Sequence, residues 1–216
     1  VVGFESESKF TIFKNPKSFQ DDVVASISTL GYESSQLKVT DQVDVYLDCQ
    51  MKIYKAGYSL RNRYRQSSLH MITLKTLERL DEAGNVRIEE EARTLKDLVK
   101  KLTGKLTSIY QDPVDEDVIN LIKTPEVLSP VLILTNHREM LEIKLGKQKC
   151  EVAFDTYAYL FPTASAPVYE LEIEGSKEFD TIRDYIYKKY GHGRWQTIGL
   201  TTMSKFENGL RLGGMI

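Results

Sequence analysis

Phe4-Glu5-Ser6-Glu7-Ser8-Lys9-Phe10-Thr11-Ile12-Phe13 opens the chain with a charge at every second position from Glu5 to Lys9. Side chains two apart in an extended strand share a face, so Glu5, Glu7 and Lys9 project together. The habit recurs along the sequence. Arg61, Arg63 and Arg65 alternate on Tyr58–Arg65; Arg138, Glu142 and Lys144 oppose Leu141, Ile143 and Leu145. Glu151 and Asp155 oppose Val152 and Phe154, and Glu170, Glu172 and Glu174 oppose Tyr169, Leu171 and Ile173. An ordinary half-buried strand sets an apolar face against a solvated polar one. Here the ions segregate, acids on some strands and bases on others. Segregation builds surface salt bridges badly, and such pairs contribute little in any case. It suits a wet cavity with an acidic pole and a cationic pole.

Apolar stripes at helical spacing fall between these strands. Ser18–Leu30 carries Phe19, Val23, Ile27 and Leu30, and Thr94–Leu102 carries Leu95, Leu98, Val99 and Leu102. A further helix opens at Asp112-Pro113, with Val118, Leu121 and Ile122 on one side, and Ser176–Tyr190 carries Phe179, Ile182 and Ile186. These helices need aliphatic surface to cover, which turns the charged strand faces inward. The expected fold is α+β, an eight-stranded antiparallel β-barrel with flanking helices. No composition break or Pro/Gly/Ser linker divides the chain. One domain over residues 1–216 is expected, with a helical insertion at about 95–130.

Charge and cysteine usage narrow the partners. Lys+Arg is 29 and Asp+Glu 31 over 216 residues, a formal net charge of -2, which argues against coating nucleic acid. A local basic patch remains compatible with that sum. Cys49 and Cys150 lack metal-type spacing, and His70, His137 and His192 form no zinc pattern. No apolar run reaches the ~18–20 residues that span a bilayer. The expectation is a cytoplasmic protein, monomer or homodimer, with neither DNA nor membrane as partner.

Several of these segments form a series. Glu5-Ser6-Glu7-Ser8-Lys9 has the form E-x-E-x-K at the start of a strand. Tyr46-Leu47-Asp48, Lys55-Ala56-Gly57-Tyr58-Ser59-Leu60-Arg61-Asn62-Arg63 and Thr73-Leu74-Lys75 follow, then Arg138, Asp155, Glu170-Leu171-Glu172 and Ser204-Lys205. In this order the chain resembles the CYTH proteins, or triphosphate tunnel metalloenzymes, from Glu5 to Lys205. The resemblance implies an eight-stranded tunnel and Mg²⁺- or Mn²⁺-dependent chemistry on a small triphosphate. The implied reaction is hydrolysis of inorganic tripolyphosphate, thiamine triphosphate or a nucleoside triphosphate, releasing orthophosphate. The alternative is a class IV-like adenylate cyclase forming cyclic AMP and pyrophosphate from ATP.

Carried onto this sequence, the resemblance makes Glu5, Glu7, Asp155, Glu170 and Glu172 metal ligands, as hard divalent ions prefer oxygen. Lys9, Arg61, Arg63, Lys75, Arg138 and Lys205 would bind the phosphates, arginine through its bidentate fork and lysine as a point charge. Glu170, Glu172 and Lys75 are the expected catalytic groups, and Glu91 is expected to hold the arginines in place. Arg65 and Lys144 read equally well as neutralisers of nearby acids, and Trp195 as a packing anchor.

Overall fold

In the computed structural model, which describes residues 6–76, 89–104, 114–145, 148–175, 180–192 and 196–216, the alternating segments are strands and the striped segments are helices. The strands are β1 Ser6–Ile12, β2 Glu33–Ser34, β3 Lys38–Asp48, β4 Tyr58–Arg65, β5 Ser68–Thr76, β6 Glu89–Ala92, β7 Ser129–Leu145, β8 Gln148–Phe161, β9 Val168–Gly175 and β10 Ile198–Thr201. The helices are α1 Pro16–Thr29, α2 Lys52–Lys55, α3 Leu95–Gly104, α4 Glu116–Lys123, α5 Asp180–Tyr190 and α6 Lys205–Leu212. The strands form one ladder in the order β10-β1-β9-β8-β7-β3-β4-β5-β6, with β2 paired to β7. Every pairing with a resolved register is antiparallel.

The α+β class is therefore as expected, but ten strands replace eight, and among the described residues no pairing joins β10 to β6. Part of the recount has a simple cause. β2 and β10 span two and four residues, too few for alternation to register. In the other direction, the alternation around Arg138, Glu142 and Lys144 belongs to one 17-residue strand, β7, that begins at Ser129 and runs through Asn136-His137. Glu5, Asp81–Asn85, Val86, Ile88, Asp112-Pro113, Ser176, Phe179 and Trp195 lie outside the described residues, as do the side chains of Glu7 and Leu145.

Two compact units divide the chain. The first comprises Val1–Asp41, Asn136–Ala158 and Ala166–Thr202; the second comprises Gln42–Thr135, Tyr159–Ser165 and Met203–Ile216. In the first, Phe10, Ile12, Leu141, Ile143, Val152, Phe154, Leu171 and Ile173 form a buried cluster with Phe19, Val23 and Ile27 of α1 and Ile182 and Ile186 of α5. The helices thus cover the aliphatic strand faces, as the stripes require. α1 starts earlier than Ser18: Asn15 is its N-cap and Pro16 occupies the first turn. Proline is pre-set for that position, where its missing N–H costs nothing.

The second unit repeats the scheme with other elements. Leu60, Ile72, Leu74 and Ala92 of the strands bury against Leu98 and Leu102 of α3 and Val118, Ile119 and Ile122 of α4. Thr94 caps α3, accepting from the Asp97 N–H at 3.1 Å. α4 begins at Glu116, where Asp115 accepts from the Asp117 N–H at 2.8 Å. Asp48, at the end of β3, accepts from the backbone N–H groups of Cys49, Ile53 and Tyr54 at 2.6, 3.0 and 2.9 Å. It holds a turn in which Gln50 and Met51 both take positive φ, 52° and 63°. Finally, α6 is fastened at Phe206, whose ring stacks on Tyr46 at 4.7 Å between centroids. Gly209 is also part of that packing: a Cβ there would come within 2.5 Å of both Leu132 Cδ2 and Tyr159 Cε1.

Candidate functional site

In the first unit the strand faces opposite α1 and α5 carry the segregated ions, in the second the β3 face that meets α6 carries Asp44, and both sets are buried. In the first unit Lys9, Asp155, Glu170 and Glu172 are 7%, 2%, 2% and 9% exposed. A solvated face is thereby excluded for these groups. Register places them. Asp155 of β8 lies opposite Glu170 of β9, and Glu172 is flanked by Lys9 of β1 and by Ala153 of β8. The small alanine leaves room beside Glu172. One carboxylate oxygen from each of Asp155, Glu170 and Glu172 falls within 4.8 Å of the others.

Arg138 ties this cluster together. Its Nε donates to Asp155 Oδ1 at 2.7 Å and its Nη2 to Asp155 Oδ2 at 2.5 Å, a bidentate pair. The same Nη2 also donates to Glu172. Burial alone would pull this guanidinium down, but Glu172 and Asp155 raise it well above its ordinary value. Asn136, two residues before Arg138 on the same face of β7, donates from Nδ2 to Asp155 Oδ1 at 2.9 Å. Its Oδ1 is buried with no hydrogen-bond partner.

Glu7 is in β1 opposite Glu174. Glu142 and Lys144 share the Arg138 face of β7, but Lys144 is exposed and reaches Glu142 at 3.7 Å. Lys149 meets the same carboxylate at 2.8 Å. The buried charge on β7 is therefore concentrated at the Arg138 end.

The cationic cluster of the second unit is organised by Asp44, which sequence reasoning passed over. Asp44 is 1% exposed and faces Arg63 across β3 and β4, with Tyr46 opposite Arg61. Arg63 donates from Nε and Nη2 to the two Asp44 oxygens at 2.8 and 2.9 Å, and Arg61 Nη1 reaches Oδ2 at 3.2 Å. Burial would raise the Asp44 carboxyl, yet Arg61, Arg63 and Lys205 together hold it below its ordinary value. Burial works against the Arg61 charge too, and Asp44, Tyr46 and Glu89 raise it above the usual arginine value. Arg61 Nε is buried and has no hydrogen-bond partner among the described residues.

Lys205, 9% exposed, opens α6, whose start is fixed by a capping box between Ser204 and Glu207. The Tyr159 hydroxyl donates to the Lys205 carbonyl at 2.7 Å. Lys75 pairs with Glu89 at 2.9 Å. Glu91 accepts from the Thr73 hydroxyl at 3.3 Å. Glu89 and Glu91 are both exposed, whereas Glu90 between them is buried. β6 is the last strand of the described ladder, which leaves its charged side open to water.

Within the first unit the structure thus brings together Lys9, Arg138, Asp155, Glu170 and Glu172, and within the second Arg61, Arg63 and Lys205 around Asp44. Asn136 and Asp44 are the additions. A signal for Asp44 was present: in Asp44-Val45-Tyr46-Leu47-Asp48 polar and aliphatic residues alternate, and the polar side is the buried one.

A divalent cation fits the first cluster by its chemistry. Three hard carboxylate ligands converge, and the unpartnered Asn136 Oδ1 adds a neutral oxygen beside them. An antiparallel α+β scaffold whose strand faces bury an acid-rich cluster and an arginine-rich cluster is the class of protein in hand. A model of the CYTH domain matches residues 5–188, and the chain belongs to the CYTH family. Among curated protein sequences no match reaches significance.

One solved structure shares the fold, and others are similar to lesser degrees. A putative adenylyl cyclase from Hippeastrum, HpAC1, described as having a dominant triphosphatase activity, is 16% identical, with a TM-score of 0.61 over 98% of this chain and 96% of that one. PH1819 from Pyrococcus horikoshii OT3 is 19% identical, with a TM-score of 0.47 over 98% and 99%. The S. pombe RNA triphosphatase Pct1 is 13% identical, with a TM-score of 0.39 over 88% and 76%. No helix among the described residues is long and apolar enough to cross a membrane.

Proposed function

We propose that this chain is a divalent-metal-dependent hydrolase of a small triphosphate, releasing orthophosphate. The observation that carries the reading is the buried trio Asp155, Glu170 and Glu172, with oxygens close enough to share one ion, in a chain of the CYTH family. The description of HpAC1 as a triphosphatase supports the same reaction class. Asp155, Glu170 and Glu172, with Glu5 and Glu7, would hold Mg²⁺ or Mn²⁺. When bound, that ion supplies Lewis-acid polarisation of a phosphoryl oxygen.

The remaining work falls to the chain's own residues. Arg61, Arg63 and Lys205 would bind phosphate oxygens, with Lys9 and Arg138 serving the same chain. Phosphoryl transfer needs chiefly positioning and charge neutralisation, which fixed guanidinium groups provide without reorganising. In the proposed step a water oxygen attacks the terminal phosphorus and the phosphoanhydride bond breaks. Diphosphate leaves with the bonding pair, and the water proton passes to a carboxylate. Glu170 or Glu172 would accept that proton, as a general base of the reaction. Lys75 would neutralise charge on the leaving diphosphate. Glu91 retains the supporting role of fixing the cationic strands. Closure of the sheet into a barrel belongs to this proposal, as do the single domain over residues 1–216 and the insertion at about 95–130.

Incubation with tripolyphosphate, thiamine triphosphate or ATP, each with Mg²⁺ or Mn²⁺ and each with chelator, tests the reading. Metal-dependent orthophosphate release is expected. Cyclic AMP and pyrophosphate from ATP would replace the hydrolase by a cyclase, and no turnover of any substrate would overturn both.

A further inference from the structure

The buried face of β3 presents four polar side chains in a row: Gln42, Asp44, Tyr46 and Asp48. Three have evident employment. Asp48 caps the turn into α2, Tyr46 stacks on Phe206, and Asp44 holds Arg61 and Arg63. Gln42 has none. It is 4% exposed, and among the described residues neither Nε2 nor Oε1 has a hydrogen-bond partner. A primary amide carries two donors and two acceptor lone pairs, and stranding all of them in the interior is costly. Leucine or methionine would fill the same space without that cost. A buried, wholly unmet amide on the face that carries the phosphate-binding arginines is thus a recognition group awaiting a ligand.

The chemistry of the amide says which ligand. Gln42 lies two residues from Asp44 on one strand face, about 7 Å along it. A fully ionised phosphate chain offers only acceptors, so it could satisfy Nε2 and would leave Oε1 stranded. A group with a donor and an acceptor side by side satisfies both ends at once. An amino group next to a ring nitrogen is such a group, and glutamine meets adenine bidentately in this way. Adenine and the aminopyrimidine of thiamine both present it.

We propose that Gln42 is a specificity-determining residue that reads the organic half of the substrate, an amino-substituted nitrogen heterocycle carried on a triphosphate. This rests on the triphosphatase reading above and selects organic triphosphates over inorganic tripolyphosphate. A site built to hydrogen-bond a polar group discriminates strongly once its partner is removed.

The test uses the full chain and its Gln42→Leu and Gln42→Met variants, two near-isosteric apolar replacements that guard against one folding poorly. Calorimetric titration gives the Kd of ATP, thiamine triphosphate and tripolyphosphate, and orthophosphate release gives kcat/KM for each. Both variants are expected to lose roughly tenfold to a hundredfold in affinity for at least one organic triphosphate. Tripolyphosphate binding should stay within about twofold. The organic ligand that loses affinity, ATP or thiamine triphosphate, identifies the heterocycle. An equal loss on tripolyphosphate would make Gln42 a phosphate or structural group, and unchanged affinity for all three would make its niche a water site; either result overturns the proposal. Wild-type chain that binds these ligands but hydrolyses none would sink the hydrolase reading while leaving the Gln42 comparison readable. Binding of none would remove both.

Discussion

In the first unit three carboxylates, Asp155, Glu170 and Glu172, converge, and one guanidinium, Arg138, bonds two of them, Asp155 and Glu172; in the second, one carboxylate, Asp44, holds two guanidiniums, Arg61 and Arg63. Both clusters bury charged side chains on a strand face, and in the second unit α6 covers part of that face through Phe206 on Tyr46. The difference lies in which sign is in excess. A buried charge is tolerable when paired and costly when not. Each unit therefore keeps opposite charge beside its buried ions, with acids in excess in one and bases in the other, which the proposed function assigns to a cation and to phosphate. Lys9 and Lys205 adjust the two surpluses from β1 and from α6.

If that division of labour is right, chemistry and affinity should separate by unit. Glu170→Gln is expected to cut kcat by roughly 10²–10⁴-fold while leaving phosphate-chain affinity nearly unchanged, as removal of a general base does. Steady-state kinetics alongside a direct binding titration checks this; retained turnover would remove Glu170 from the mechanism. The next effect concerns stability. Asp44→Ala leaves two buried guanidiniums without their carboxylate and should cost about 3–5 kcal/mol in denaturant unfolding. Asp155→Ala should cost less, because Arg138 keeps Glu172. Equal losses from the two variants would break the comparison.

Smaller effects sharpen it. Arg63→Ala is expected to weaken tripolyphosphate binding by roughly tenfold to a hundredfold, the loss of a charged hydrogen bond, and to act on KM more than Glu170→Gln does. An unchanged KM would contradict the phosphate role. The smallest expected effect is a pH slope. The folded-state value of Asp44 lies below its ordinary 3.8: burial opposes this, and Arg61, Arg63 and Lys205 bring it about. Its stabilisation is then complete above that ordinary value and is lost as pH falls through the depressed one. Unfolding midpoints measured from about pH 5 downward should therefore fall for the wild-type chain, and Asp44→Asn should lack that component.

Much of this architecture was visible in the pattern of residues, because alternation and helical stripes are direct records of which face is covered. The strands bearing Glu170, Arg138 and Arg63 could be oriented without coordinates. What escaped notice had physical reasons. Asn136-His137 reads as a loop pair, yet β7 runs straight through it, since the Asn136 amide bonds to Asp155 on a strand far away in sequence rather than to its own backbone. Asp44 is a single acid among aliphatic neighbours, and only pairing of β3 with β4 shows that it serves two arginines. Gln42 carries no charge, so a search for segregated ions passes it by. β2 and β10 are defined by partners, not by any periodicity of their own.

Asp48 leaves a different kind of record. Among the described residues its carboxylate is met by peptide N–H groups, those of Cys49, Ile53 and Tyr54. Such an anchor is indifferent to the side chains it spans. Over evolutionary drift the identities of residues 50 and 51 should wander widely, with glycine and asparagine welcome where φ is 52° and 63°, while the acid before them is pinned.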